Sequence, residues 1–404
     1  MDPRGFFELN TWYRGLYLTL DNVLPSWMSY FIAGFAVMFA IVNAMMLLAT
    51  LYIWFERRAL GRFQVRQGPN RWGPFGLLQP IADALKILGK EDIVPHGADR
   101  WVFNIAPIVM FFPVPMIVAV LPIAKNVAIT DINVGLLFVV AITGFSTLAI
   151  FMAGWASGNR YALFGAARAV AMLISYEIPL IITLGSIALL SGSLAMGTIV
   201  ATQNVPYLLV QPLAFVIFMM AISAEMNRSP FDIVEAESEL IAGYHTEYSG
   251  MKFGMFMLAE FAAVIVASGL ATTIFLQGWR WPFLPSAIWF LLKMGMFVFL
   301  FLWIRATIPR LRVDQILAFA WKFLLPLSVV SLFATALEVF FLREPDGSLT
   351  TNTLWIMSGI NFGLAIVALV GWANVLGHRR YNPAPRIASM YRDGPLGSRP
   401  VEVQ

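Results

Sequence analysis

The chain has 404 residues, of which 59% are apolar and only 12% charged, and its mean hydropathy is +0.75. That leaves too little polar surface to cover a water-soluble domain, so a soluble globular protein is excluded. The net charge of +4 is small for this length and follows loop topology, leaving no basic patch suited to nucleic acid.

The expected fold class is an all-α polytopic membrane protein, because apolar runs of roughly 20 residues are of helix length in a bilayer. Nine runs reach or approach that length, at 31–55, 102–124, 134–156, 169–190, 207–224, 254–277, 286–304, 323–342 and 354–376. Pro and Gly interrupt several of them, which lipid-embedded helices tolerate. Residues 1–30 lack a basic start followed directly by a short apolar core, so no cleavable secretory signal is read. The stretch WYRGLYLTLDNVLPSW is instead expected to lie along the outer interface. Residues 31–342 then form an eight-span core and 343–376 an extra ninth span. The Arg- and Pro-rich tail, 377–404, is either disordered or docked on a neighbour.

With the N-terminus outside, the inner segments carry 21 Lys and Arg and the outer segments 5, with Lys293 alone inside a span. That bias predicts a cytoplasmic C-terminus. The chain has no Cys, so it ligates no iron–sulfur cluster and forms no disulfide. Its 3 His fall in loops, and no phosphate-cradling glycine motif occurs. Any electrons this protein uses must arrive through another subunit.

The first long inner loop, 56–101, holds Arg57, Arg58, Arg62, Arg66 and Arg71, then the turn signals GPN, GP and GLLQP. Over 76–90, Leu77, Leu78, Ile81, Leu85 and Leu88 recur at helical spacing, with Asp83, Lys86 and Lys90 opposite, predicting an amphipathic helix in the inner interface. The Arg cluster reads either as topology-enforcing charge that grips lipid phosphates or as part of a binding surface.

The second, 225–253, carries six carboxylates in Ala224–Gly250 (Glu225, Asp232, Glu235, Glu237, Glu239 and Glu247) against one Arg, Arg228. Pro230 at a first turn, Asp232 at the positive end and Gly243 at the C-cap predict a short helix over 230–242. Glu235 and Glu239 would share a face, unfavourably unless a proton or cation separates them. A solvated acidic face and a proton-sharing cluster are both readings of this loop. Within the spans, Glu177 is expected about 12 Å deep, beside the ladder-weakening Pro179. Glu225 and Glu260 lie near inner ends, Lys293 deeper. Ion-pair or proton-relay roles follow from the cost of charge at membrane depth; Glu338, near an outer end, is expected to snorkel.

Four ordered blocks carry a resemblance: ERRALGRFQVRQGPNRWGPFGLLQPIADALKILGKEDIVP, GWASGNRYALFGAARAVAMLISYEIPL, AEMNRSPFDIVEAESELIAGYHTEYSGMKF and LFLWIRATIPRLRVDQILAFAWKFLLPL. Together they span about two thirds of the chain and resemble the H-type membrane subunit of respiratory complex I, the proton-pumping NADH:quinone oxidoreductase. The resemblance implies a subunit that anchors the peripheral redox arm, forms the quinone access chamber with it, and couples quinone reduction to proton translocation. It implies quinone as substrate of the complex, with NADH, FMN and iron–sulfur clusters in partner subunits. The partners would be peripheral-arm subunits, small membrane-arm subunits and lipids, in a bacterial inner membrane.

On matching positions it assigns Arg57, Arg58, Arg62, Arg71, Asp83, Lys86, Arg228, Phe231 and Asp232 to the chamber or its interface. Glu177, Glu225, Glu235, Glu237, Glu247 and Glu260 are assigned to proton coupling, with Lys293 and Arg305 among the cations that counter their acidity. Trp72, Met172, Met226 and Val313 depart from the usual pattern; Trp72 and Met226 are expected to reshape loops facing quinone. The same resemblance extends to subunits of membrane-bound hydrogenases and deazaflavin-oxidising complexes. A stand-alone ion carrier is the other class, and it would predict internal repeats.

Overall fold

The computed structural model describes residues 9–125, 132–233, 242–343 and 349–378. All regular elements among them are helical. In chain order they are α1 (Leu9–Asp21), α2 (Ser26–Phe63), α3 (Gln79–Leu88), α4 (Arg100–Phe111), α5 (Pro113–Val120), α6 (Gly135–Ala156), α7 (Arg160–Ser191) and α8 (Met196–Thr202). There follow α9 (Tyr207–Val210), α10 (Pro212–Glu225), α11 (Gly250–Phe275), α12 (Ser286–Thr307), α13 (Val313–Phe319), α14 (Leu325–Leu342) and α15 (Thr351–His378).

Eight of the described helical stretches are long and apolar enough to cross a membrane, counting α4 with α5 and α13 with α14 as one span each. The remaining apolar run, 207–224, becomes the four-residue α9 and the shorter apolar α10. It breaks at Gln211–Pro212 because Pro212 starts a helix well but cannot continue one, and because the Gln211 side chain is wholly committed elsewhere. Its Nε2 donates to Thr335 Oγ1 (2.9 Å) and its Oε1 accepts from Ser186 Oγ (3.3 Å), tying the break to α14 and α7.

Helix α7 sits at the centre, buried against α6, α10 and α14. Because lipid tails offer no hydrophobic drive between helices, close backbone approach and polar contacts must hold the bundle together. Gly154 on α6 provides the approach: a Cβ there would lie 2.3 Å from the Cβ of Ala166 on α7. At the N-terminus, α1 folds back on α2 through Tyr13, whose ring meets Tyr30 edge-on at 6.2 Å.

The bundle has two chemically different ends. One gathers the charged loops around the end of α2 and the starts of α4, α7 and α11. The other is fastened by side chains that satisfy helix-end backbone: Gln203 donates to the carbonyls of Thr273 (3.0 Å) and Ile274 (2.8 Å), at the end of α11, and its own side-chain oxygen accepts from the Gln277 backbone.

Glu338 does not snorkel. It is buried, and Asn361 of α15 donates to its Oε2 at 2.9 Å while Oε1 has no partner among the described residues. Ser358 of α15 donates to the Leu209 carbonyl at 2.7 Å, so the ninth span docks through polar contacts. Replacing Asn361 with Leu strands the carboxyl and should cost about 1–3 kcal/mol. Thermal unfolding of the purified protein should show that loss, and adding Glu338→Leu to the same variant should recover most of it; no recovery would contradict this docking.

Candidate functional site

The charged end is organised by Glu56, in the last turns of α2 and 3% exposed. Its carboxylate accepts from Arg228 of the acidic loop at 3.1 Å and from Arg305 at the end of α12, which approaches the same oxygen closely. The Arg228 guanidinium also lies over the Phe261 ring, 4.6 Å from its centroid. Sequence reasoning placed Arg228 and Arg305 here but missed Glu56. Its signal was that of a lone acid in the Arg-rich block ERRALGR.

The loop after α2 folds back on this helix end. Arg58 donates to the Phe75 carbonyl at 3.1 Å and stacks on the Phe75 and Trp54 rings. Gly68 presses on α2 so closely that a Cβ would lie 2.9 Å from the Arg58 Cα. The predicted amphipathic helix follows as α3, somewhat shorter than 76–90. Asp83 accepts from Arg57 and, at 3.2 Å, from Gln79, while Ile81, Leu85 and Leu88 are exposed on its apolar face.

The polar face of α3 lines a cavity of about 1490 Å³, together with Arg57, the 242–250 turn, the start of α11 and Arg310. Of the expected chamber residues, Arg57, Asp83 and Lys86 line it. Arg58, Arg62 and Arg71 do not, and Arg62 and Arg71 are exposed. Asp232 is buried and accepts from Arg310 at 3.0 Å. Phe231 is buried against Tyr176, ring centroids 4.9 Å apart, with no face on the cavity.

The helix expected over 230–242 does not begin at Pro230. Residues 230–233 are irregular because their polar groups bond outward: the Leu311 N–H donates to the Pro230 carbonyl at 3.2 Å, and Arg310 holds Asp232. The remainder, with Glu235, Glu237 and Glu239, lies outside the described residues. The loop returns at Gly243, whose φ of +61° suits glycine. It lies so close to α7 that a Cβ on Gly165 would sit 2.7 Å from the Gly243 Cα.

That contact seats the neighbours of Gly243. His245 is buried and lines the large cavity, a position sequence reasoning did not single out. Tyr244 points inward and donates to Glu260 Oε1 at 3.3 Å. Glu260 and Glu225 both line a second, smaller and mostly apolar space of about 70 Å³, with Thr143, Ser146, Met226 and Asn227 among its lining. Ser146 donates to Glu225 Oε1 at 3.3 Å. Glu177 faces the same stretch of α6, its Oε1 3.6 Å from where a Gly144 Cβ would be, and is an electrostatic neighbour of Glu225. Three expected proton-coupling carboxylates thus come together.

Others do not. Glu247 accepts from Asn159 at 2.7 Å in a separate cleft of about 380 Å³. Lys293 lies at the opposite end, its Nζ donating to the carbonyls of Leu276 (2.7 Å), Gly278 (2.9 Å) and Arg280 (2.9 Å). It therefore caps the end of α11 and meets none of the three grouped carboxylates. Met226 lines the small space, not the large one, and Trp72 is 63% exposed and lines neither.

Two comparisons bear on this geometry. Residues 35–336 match the family model described as NADH dehydrogenase. The chain belongs to that family. It is 51% identical over 317 residues to the H-type subunit of the NADH-quinone oxidoreductase of Dehalococcoides mccartyi, covering 78% of this chain and 89% of the relative. It is 48% identical over 325 residues to the corresponding H-type protein of Bacillus cytotoxicus, covering 78% and 97%. The family resemblance of the four sequence blocks is borne out, and the chain is a multi-pass membrane subunit of the NADH-quinone oxidoreductase type. Among the described residues no group of three or more His, Asp or Glu is placed to hold a metal ion.

Burial lowers the His245 imidazole from an ordinary 6.5 to about 4, against the opposing pull of Asp232. Between those values the unfolded chain binds a proton that the folded chain does not. Stability is therefore full above about pH 6.5 and falls as pH drops toward 4, by up to about 3 kcal/mol. Thermal unfolding from pH 7.5 to 5 should show this slope, and a His245→Gln variant should lose that part of it; an identical slope in the variant would contradict the assignment.

Proposed function

We propose that this chain is the subunit in which the quinone headgroup, entering from the bilayer, meets the membrane arm of an NADH:quinone oxidoreductase and passes its reduction on to a chain of carboxylates. The observation that supports this reading is a succession of neighbouring groups. It runs from the large cavity past His245 and Tyr244 to Glu260, across a small, mostly apolar-lined space to Glu225, and on to its electrostatic neighbour Glu177.

The large cavity suits a polar headgroup reached through lipid. Its wall carries Arg57, Lys86, Lys90 and Arg310, donors for quinone oxygens or for the anion formed on reduction. Helix α3 turns its apolar face outward beside it, as an interfacial helix at an entrance would. Electrons come from iron–sulfur clusters in a peripheral-arm subunit, fed by NADH and FMN further upstream; this chain supplies no redox group. Quinol formation takes two electrons from the peripheral arm and two protons, and each proton drawn from a group at the cavity leaves that group one unit more negative until it is replaced. The carboxylates behind it respond by moving protons or by shifting conformation.

Glu235, Glu237 and Glu247 are proposed to add to the acidity of this loop, and Arg305 to balance it through Glu56. The partners are the peripheral-arm subunits that close the cavity and small membrane-arm subunits. The chain lies in the bacterial inner membrane, N-terminus outside and C-terminus cytoplasmic, which puts the charged end on the side of the redox arm.

Replacing Glu225 or Glu260 with Gln keeps the shape and removes the titrating group. In vesicles of the assembled complex, quinone-dependent proton uptake should fall by roughly an order of magnitude or more, while NADH oxidation by an artificial acceptor stays unchanged. Full proton uptake in both variants would overturn the path.

A further inference from the structure

At the end of the bundle away from the charged loops, a cleft of about 1000 Å³ opens between the end of α5, α8 and the turn joining α11 to α12. Lys125 and Arg280 line it, and none of the described residues lining it is acidic. The Arg280 side chain is held in place. Its Nη1 donates to the carbonyls of Ala201 (2.8 Å) and Gln203 (3.2 Å), its own carbonyl accepts from Lys293, and no described group bonds Nε or Nη2. Lys125 is exposed and takes no described hydrogen bond or ion pair. A guanidinium held in place and a second cation beside it, with no described carboxylate between them, suit an anionic ligand such as a phosphate diester.

The surroundings say where that phosphate comes from. The lip of the cleft is the loop Trp281–Pro285, with Trp281 53%, Phe283 98% and Leu284 43% exposed. Trp281 is braced by its indole N–H on Gln277 (3.0 Å) and Trp289 by its own on the Pro282 carbonyl (2.9 Å). Braced indoles at helix ends, beside an outstanding Phe and Leu, are what the boundary between headgroups and acyl chains selects. A soluble anion has no use for them.

We propose that this cleft binds the phosphodiester headgroup of an anionic phospholipid, with Arg280 and Lys125 as the phosphate ligands and Trp281, Phe283 and Leu284 against the acyl chains. The site is separate from the quinone-side cavity and does not depend on the reading given to it.

The test uses the assembled complex in nanodiscs containing photoactivatable phosphatidylglycerol or phosphatidylcholine, with labelled peptides mapped by mass spectrometry. Phosphatidylglycerol should label residues 279–286 preferentially. Each of Lys125→Gln and Arg280→Gln should reduce that preference about fivefold, as expected for roughly 1 kcal/mol per cation at a membrane surface. Arg280→Lys should largely retain it, and inorganic phosphate should not compete. Lys125→Gln disturbs no described contact, so it reads the site even if Arg280→Gln destabilises the fold. Equal labelling by both lipids, an unchanged preference in Lys125→Gln, loss of labelling on adding inorganic phosphate, or no labelling because another subunit covers the cleft would each overturn the proposal.

Discussion

One carboxylate, Glu56, is shared by two guanidinium groups that come from opposite reaches of the chain, Arg228 and Arg305. Removing one member of a buried ion pair typically costs about 3–5 kcal/mol, because the remaining charge stays buried without compensation. The end of α2, the acidic loop and the end of α12 are therefore obliged to meet. Once they meet, the loop after α2 can fold back only where Gly68 allows, the acidic loop is drawn to Arg310 through Asp232, and the large cavity is the space left between them.

The opposite end is fastened chiefly by hydrogen bonds to helix-end carbonyls and hydroxyls. Gln203, Gln211 and Lys293 satisfy carbonyls and hydroxyls at helix ends and breaks, the usual requirement where no water reaches the backbone. The contrast suits a coupling subunit. A densely bonded end keeps the helices in register, while the end rich in ion pairs surrounds the space that the proposed coupling would use. Between them the Tyr244–Glu260 contact and the small space beside Glu225 form a junction from loop to membrane interior.

Much of this was legible in the residues. Apolar runs located every span, and the spacing in 76–90 separated the two faces of α3, since both follow from periodicity alone. What periodicity cannot show is how a buried polar side chain is satisfied. Gln211 inside an apolar run gave no hint that it would bond α14 and α7 and end a helix. Lys293 looked like a charge in need of an acid, but helix-end carbonyls meet its needs. Glu338 was expected to reach the surface; its partner, Asn361, lies in a span with no sequence pattern linking it to α14. Glu56 was hidden by its setting, an acid among so many arginines that the block read as basic.

The most direct measurement is photoaffinity labelling of the assembled complex with a quinone carrying an azide on its ring. The account predicts labelling of peptides from 79–90 and 242–257, lost when a tight quinone-site inhibitor is added. Labelling confined to other subunits, or to the opposite end of this one, would contradict it.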